Sequence, residues 1–232
     1  MVFILLIVVA VAAFGISQWA AGRHMAMMNK GARVTAPTAH TGEEIARLFL
    51  ATECVSDVQI VEHDSVVSDY FDPVRRRLFL RKEVAQGTTL AAWAVALHEA
   101  AHALQTGAEG LGELKWRQSC IRLCRYLPVF SALVLVGLML GRVLVPRNAI
   151  LVFVMLFGLL VMLNLGTVPV EFAANRRARE FLERHLNKHP QAVERLNDLL
   201  FAMAIREVGD ALRSPRYFFL SALPGAGKSR PG

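Results

Sequence analysis

Cysteine is scarce in this sequence, and none of it is paired. Cys54, Cys120 and Cys124 form no Cys-x-x-Cys unit, which argues against a disulfide framework. Cys120 and Cys124 share a helix face beside an apolar run and read as small packing residues, with reversible acylation as the alternative. Acidic residues are also few, 19 Asp and Glu against 26 Lys and Arg, leaving a net charge of +7. No basic segment precedes the first apolar run, as a cleaved signal peptide requires, so that run reads as a retained anchor. A phosphate-binding loop is present only in outline. In Ala222-Leu-Pro-Gly-Ala-Gly-Lys-Ser229 an alanine replaces the first glycine, and the chain stops at Gly232 with no following helix to face a phosphate. Nucleotide binding is therefore not expected.

What the sequence has in quantity is apolar residues, 54% of the total, with a mean hydropathy of +0.40. Three runs, residues 2–21, 127–145 and 149–168, each approach the roughly 20 residues that cross a bilayer. The last two are separated only by Pro146, Arg147 and Asn148, which predicts a helical hairpin. Arg23, Lys30, Arg33, Lys115, Arg117, Arg122, Arg125, Arg176, Arg177, Arg179 and Arg184 flank one side of these runs, against Arg142 and Arg147 at the hairpin turn. That asymmetry predicts a multi-pass protein of the inner membrane with its chemistry on the cytoplasmic side. It accounts for the positive charge through membrane lipid, without nucleic acid.

The chemistry centres on His98-Glu99-Ala100-Ala101-His102, within the apolar stretch Thr89 to Gln105. Helical residues four apart lie one above the other, so His98 and His102 can reach one metal ion from the same face. Glu99 then stands beside the metal, where a carboxylate can take a proton from an activated water. Random shuffling would produce this pattern in roughly 0.01 of such chains. The bland reading is a buried helix with two hydrogen-bonded histidines. Zinc is favoured over it because a metal offsets the desolvation of three polar groups in an apolar helix.

Along the chain, residues 1–22 form the expected anchor and 23–126 a soluble catalytic segment. Thr41 and Glu44 make a capping box for a helix ending near Cys54. Residues 57–62 and 77–81 read as strands, and Ser68-Asp-Tyr-Phe-Asp-Pro73 as a turn. The resulting small sheet is either an edge for an extended peptide or an ordinary stabilising hairpin. A basic helix over about 113–126 leads into the hairpin at 127–168. Residues 169–212 carry further helices, the last over about 190–212, and 213–232 read as a disordered tail.

Two histidines leave a catalytic zinc one protein ligand short. Glu171, just after Pro169 at the end of the third run, is either that ligand or an acid stabilised by a helix N-terminus. Asn175, one turn on, is placed to orient the Glu171 carboxylate.

Four pieces of the chain resemble the bacterial membrane-bound neutral zinc metallopeptidases called YugP-like. They are Thr41-Gly-Glu-Glu-Ile-Ala46, Ser68-Asp-Tyr-Phe-Asp-Pro73, Ala94-Val-Ala-Leu-His-Glu-Ala-Ala-His-Ala-Leu-Gln105 and Val168-Pro-Val-Glu-Phe-Ala-Ala-Asn-Arg-Arg-Ala178. The likeness covers about residues 1–212, and a more distant one is to HtpX-type membrane proteases. It implies that His98, His102 and Glu171 bind zinc and that Glu99 is the general base. The chain departs from the family at Ala100 and Ala101, usually Val-Gly, at Tyr70, usually histidine, and at Ala173 and Asn175, usually Asp and Ser.

The expected fold is thus a mainly α membrane protein, with three transmembrane helices and a small α+β zincin-like domain carrying a short sheet. The expected activity is zinc-dependent hydrolysis of peptide bonds in protein substrates, above all membrane or juxtamembrane ones. Tyr70 and His63 are the available oxyanion partners. The rival is a non-catalytic membrane scaffold with a structural zinc, for which Cys54 or His63 supplies a fourth ligand. A second rival is metal-dependent hydrolysis of a non-peptide amide or ester.

Overall fold

The computed structural model describes residues 2–63, 68–106, 110–166 and 168–221. Eight helices and three strands follow one another among them: α1 (Val2–Gly31), α2 (Gly42–Thr52), β1 (Gln59–His63), β2 (Tyr70–Asp72), β3 (Arg77–Arg81), α3 (Lys82–Ala85), α4 (Leu90–Ala101), α5 (Gly110–Leu140), α6 (Pro146–Leu165), α7 (Val168–His185) and α8 (Pro190–Ser221). A single 3₁₀ helix, His102–Thr106, continues α4. The phosphate-loop look-alike at 222–229 and the Cys124 side chain lie outside the described residues.

The chain divides into two compact units. One comprises Met1–Gln18, Trp116–Val168 and Val208–Gly232, the other Trp19–Lys115 and Pro169–Glu207. The core belongs to the second unit, where Phe49 and Leu50 of α2, Leu78 and Leu80 of β3, Trp93 and Leu97 of α4, Phe181 and Leu182 of α7 and Leu196 and Leu200 of α8 are all buried. Phe49 meets Phe181 edge to face at 5.1 Å between ring centroids, a geometry that the ring quadrupoles favour. The first unit contrasts with this, since Phe130, Leu133, Leu140, Ile150, Met155 and Met162 are exposed.

Two helices of the second unit, α2 and α4, start at side-chain caps legible in the sequence. Glu44 N–H donates to the Thr41 hydroxyl at 3.2 Å, while Thr41 N–H donates to the Glu44 carboxylate at 2.8 Å. This closed box satisfies two backbone donors at the start of α2. Thr89 caps α4 by accepting from Ala92 N–H at 3.2 Å. Trp93 is fully buried, with its indole N–H donating to the His40 carbonyl at 2.8 Å.

The sheet differs from the sequence reading in its pairing. Its order is β1-β3-β2. The two strands read from the sequence run parallel, Gln59 opposite Arg77 through His63 opposite Arg81. A third strand, β2, falls inside the stretch read as a turn and pairs antiparallel with β3, Tyr70 opposite Phe79. The reversal itself is short. Asp72 accepts from Val74 N–H and Arg75 N–H at 2.9 and 3.1 Å, Pro73 fixes its own φ, and Arg76 turns the chain into β3 with φ of 51°. A side-chain carboxylate that satisfies its own turn lets the strand run right up to it.

The expectation of three transmembrane helices is corrected. Among the described residues, no helix is long and apolar enough to cross a membrane. The apolar run of α1 meets Ser17 and Gln18, and then Arg23, His24 and Lys30. α5 stops at Leu140, short of residue 145, where Gly141 and Arg142 turn the chain, Arg142 with φ of 55°. α6 has 20 residues, but Pro146, Arg147, Asn148 and Asn164 are among them. A span needs about 20 predominantly apolar residues. The same finding removes the basis for the expected multi-pass placement in the inner membrane, and with it the interfacial location that singled out membrane-embedded substrates. Beyond these helices, α8 runs to Ser221, past the expected end near residue 212.

Gly42 shows how closely α2 sits on its neighbours. Its N–H donates to the Gly87 carbonyl at 2.8 Å, and a Cβ there would lie 2.1 Å from the Val84 carbonyl oxygen. A backbone oxygen cannot swing aside as a side chain would. Gly42→Ala is therefore expected to destabilise the protein by about 2 kcal/mol, lowering Tm by roughly 4–8 °C. A melting curve that superimposes on the wild type would show that α2 is free to slide.

Candidate metal centre

The site begins with the contrast inside α4. Of its 12 residues all are buried except Glu99. A helix enclosed on every side has to justify each polar group it carries, and His98 and His102 are both only 4% exposed. The partner helix poses the same problem. On α7 the buried positions are Val170, Glu171, Ala174, Asn175, Ala178, Phe181 and Leu182, a helical stripe in which one carboxylate and one amide take the places of apolar residues. Glu171 is 1% exposed.

These buried groups meet. One ligand atom from each of His98, His102 and Glu171 lies within 4.8 Å of the other two. Glu171 Oε2 is 3.2 Å from His98 Nε2 and 3.5 Å from His102 Nε2. The two imidazoles stand nearly perpendicular, 80° between planes with 5.0 Å between centroids. Neither Cys54, exposed after α2 with φ of 57°, nor His63, exposed at the end of β1, joins this group among the described residues. Tyr70 lies in the sheet, stacked on Phe79 at 4.9 Å.

The ring tautomers are fixed by two amides, each anchored on a backbone carbonyl. Asn175 Nδ2 donates to the Leu200 carbonyl at 2.7 Å, so its Oδ1 faces His98 Nδ1, also at 2.7 Å. Gln105 Nε2 donates to the Val170 carbonyl at 2.6 Å, so its Oε1 faces His102 Nδ1 at 2.8 Å. An oxygen in those positions accepts only from Nδ1–H. When the rings are neutral, both Nε2 atoms are thereby left with a lone pair toward the Glu171 carboxylate. Two lone pairs and an anionic oxygen converging in a dry core repel one another unless a cation sits among them. The donor set of two imidazoles and a carboxylate suits zinc, with ligating nitrogens oriented by outer partners.

Asn175 therefore acts on a different residue from the one expected. The sequence spacing suggested that it orients Glu171, its neighbour one turn back on α7. The structure turns it across to His98, because both groups lie on the face of α7 that meets α4. Gln105 is a functional residue that the sequence reading passed over. It follows His102 by three, and a 3₁₀ helix sets positions i and i+3 directly above one another. Sequence reading also passed over His24 of α1, whose Nε2 accepts from Arg206 Nη1 at 3.2 Å. Burial first, and then the Arg206 charge, lower its pKa to about 4, leaving it neutral above that pH.

Charge at the centre favours a cation as well. Burial alone would depress the His98 pKa. The Glu171 carboxylate hydrogen-bonded to it, the charges of Glu99 and Glu171, and the Asn175 contact outweigh that burial and push it up to about 9. In the metal-free protein this proton stabilises the fold fully below the ordinary histidine value of 6.5, and that contribution fades as pH rises through about 9. Zinc must displace it. Calorimetry at pH 7 in buffers of different ionisation enthalpy should show proton release on zinc binding, and apparent affinity should rise with pH until about 9. Proton uptake, or affinity independent of pH, would contradict the raised His98 pKa. Gln105→Leu and Asn175→Leu should each weaken zinc binding by about 10- to 100-fold, measured by competition with a chelating dye.

Comparison with known proteins agrees with this chemistry. A family model described as "Putative neutral zinc metallopeptidase" matches residues 3–219. The "Putative membrane protease YugP" of Bacillus subtilis (strain 168) is 31% identical over 210 residues, covering 90% of this chain and 92% of that protein. No solved structure matches. The family and the buried His-His-Glu group together make zinc the metal of this site. By both the extent of the family match and the similarity of this relative, the chain belongs to the neutral zinc metallopeptidase family.

Proposed function

We propose that this protein is a zinc-dependent endopeptidase, in which His98, His102 and Glu171 hold the metal and Glu99 is the general base. The observation that carries this reading is the exposure pattern of α4, where Glu99 alone is not buried while the histidines on either side of it are. A base must meet both the nucleophilic water and the substrate, whereas ligands need not meet solvent. When bound, zinc supplies a Lewis acid for the scissile carbonyl and brings the pKa of its water toward about 7.

The remaining steps belong to the chain's own residues. Glu171 contributes the one anionic ligand, and Asn175 and Gln105 keep the two imidazoles as Nδ1–H tautomers whose Nε2 lone pairs face the metal position. Glu99 accepts the proton from the attacking water and passes it to the departing amine nitrogen as the C–N bond breaks. Substrates are peptide bonds in proteins or peptides, as membership in a peptidase family implies. A donor set of three among the described residues supports catalysis over the structural-zinc scaffold, since structural zinc sites are closed by a fourth protein ligand.

Glu99→Gln keeps shape and helix while removing the proton acceptor. It should bind about one zinc per chain, like the wild type, and cleave a casein-type substrate roughly 10²- to 10⁴-fold more slowly. His98→Ala should lose both metal and cleavage. Undiminished cleavage by Glu99→Gln would remove Glu99 from the mechanism, and zinc held by the wild type and by Glu99→Gln with cleavage by neither would favour the scaffold.

A further inference from the structure

A part-buried hydrogen bond joins the turn that follows the metal ligands to the sheet. Arg76 stands at the end of the β2–β3 reversal, in the left-handed region with φ of 51°, a conformation that non-glycine residues adopt only when their surroundings hold them there. Asp57, Ala103 and Phe71 are among the groups that engage its guanidinium. Nε and Nη2 donate to the two carboxylate oxygens of Asp57 at 2.8 and 2.7 Å, a bidentate pair, and Nη1 donates to the Ala103 carbonyl at 3.1 Å. The guanidinium also lies 5.5 Å from the centroid of the Phe71 ring. The Asp57 carboxyl is held below its ordinary pKa by this hydrogen bond.

Ala103 is the residue after His102, inside the 3₁₀ turn that carries Gln105. That turn has a specific geometric task. At 120° per residue, Gln105 stands directly in line with His102, whereas at the 100° of an α-helix it would be rotated away by about 60°. In an α-helix the two side chains would still be neighbours, but the amide would approach His102 Nδ1 obliquely rather than in line. A charged planar donor on the Ala103 carbonyl, itself clamped from the other side by a carboxylate, holds the tight turn against relaxation.

We infer that Arg76, braced by Asp57, is a positioning residue for the metal centre: by holding the Ala103 carbonyl it keeps the 3₁₀ turn that delivers Gln105 to His102. It touches neither metal nor substrate. The inference rests on the metal reading above and extends it to the sheet, which thereby takes part in setting metal affinity.

The test uses the full chain and zinc alone. Arg76→Lys keeps the charge but not the bidentate planar fork, and Asp57→Asn removes the brace at an exposed position, so both variants should fold. Zinc affinity by chelator competition should fall about tenfold in each. The visible spectrum of the cobalt-substituted protein should change in both, reporting altered ligand geometry. On a Gln105→Leu background, Arg76→Lys should cost little further affinity, because both act through the same hydrogen bond. Zinc affinities within about twofold of the wild type together with unchanged cobalt spectra would overturn the inference, whatever the melting temperatures. Fully additive losses with Gln105→Leu would overturn the route through Gln105. A wild type that binds no zinc would overturn the metal reading itself, which separates that failure from the failure of Arg76 alone.

Discussion

The buried carboxylate of Glu171 is the constraint on which the rest of the second unit depends. An ionised carboxylate in an apolar core costs several kcal/mol unless it is compensated, and the compensation here is a cation shared with the two imidazoles 3.2 and 3.5 Å away on another helix, the proton on His98 or the metal that replaces it. α4 and α7 cannot separate without exposing that imbalance. Their apolar stripes, with Leu97 and Ala101 on one and Ala174 and Phe181 on the other, complete a core arranged around a polar centre.

What keeps the centre from collapsing into an ordinary hydrogen-bonded cluster is the pair of amides. Asn175 and Gln105 each spend their NH₂ group on a backbone carbonyl, of Leu200 and of Val170. Their oxygens are thus committed to the two Nδ1–H groups. The carbonyl of Val170 immediately precedes Glu171 in the chain, so Gln105 ties the end of α4 to the start of α7 at the same point where Glu171 enters the site. Backbone carbonyls are the most rigid acceptors a fold has, and tautomers referred to them do not drift with side-chain motion.

How much of this was legible in the sequence depended on how local the cause is. The pairing of His98 with His102, the exclusion of Glu99 from their line and the Thr41–Glu44 box follow from helical spacing over three or four residues. Glu171 lies some seventy residues from the histidines, and its own neighbourhood left two readings open. Family resemblance pointed to one of them, and the meeting of α4 and α7 brings the three groups together. Spacing sets Asn175 beside Glu171, whereas its hydrogen bond goes to His98, because spacing reports neighbours on one helix and not across two. Gln105 was missed for a subtler reason: a change from α to 3₁₀ winding at His102 has no marker in Ala103-Leu104-Gln105. The long apolar runs misled in another way. Composition counts apolar residues without regard to where a helix ends, and Ser17, Gly141 and the Pro146-Arg147-Asn148 start of α6 lie where length matters most.

The electrostatics of the centre also bear on why Glu99 is placed where it is. With both imidazoles neutral, Glu171 and Glu99 together bring two negative charges, and both raise the His98 pKa. One proton on His98 offsets half of that charge, while a divalent cation offsets all of it. Burying both carboxylates would make such a centre tight but inert, a closed structural site. Leaving Glu99 as the one position of α4 that is not buried keeps its charge close enough to favour the cation and its side chain at the edge of solvent, as the proposed role of general base requires. A general base needs both, and a purely structural carboxylate needs only the first.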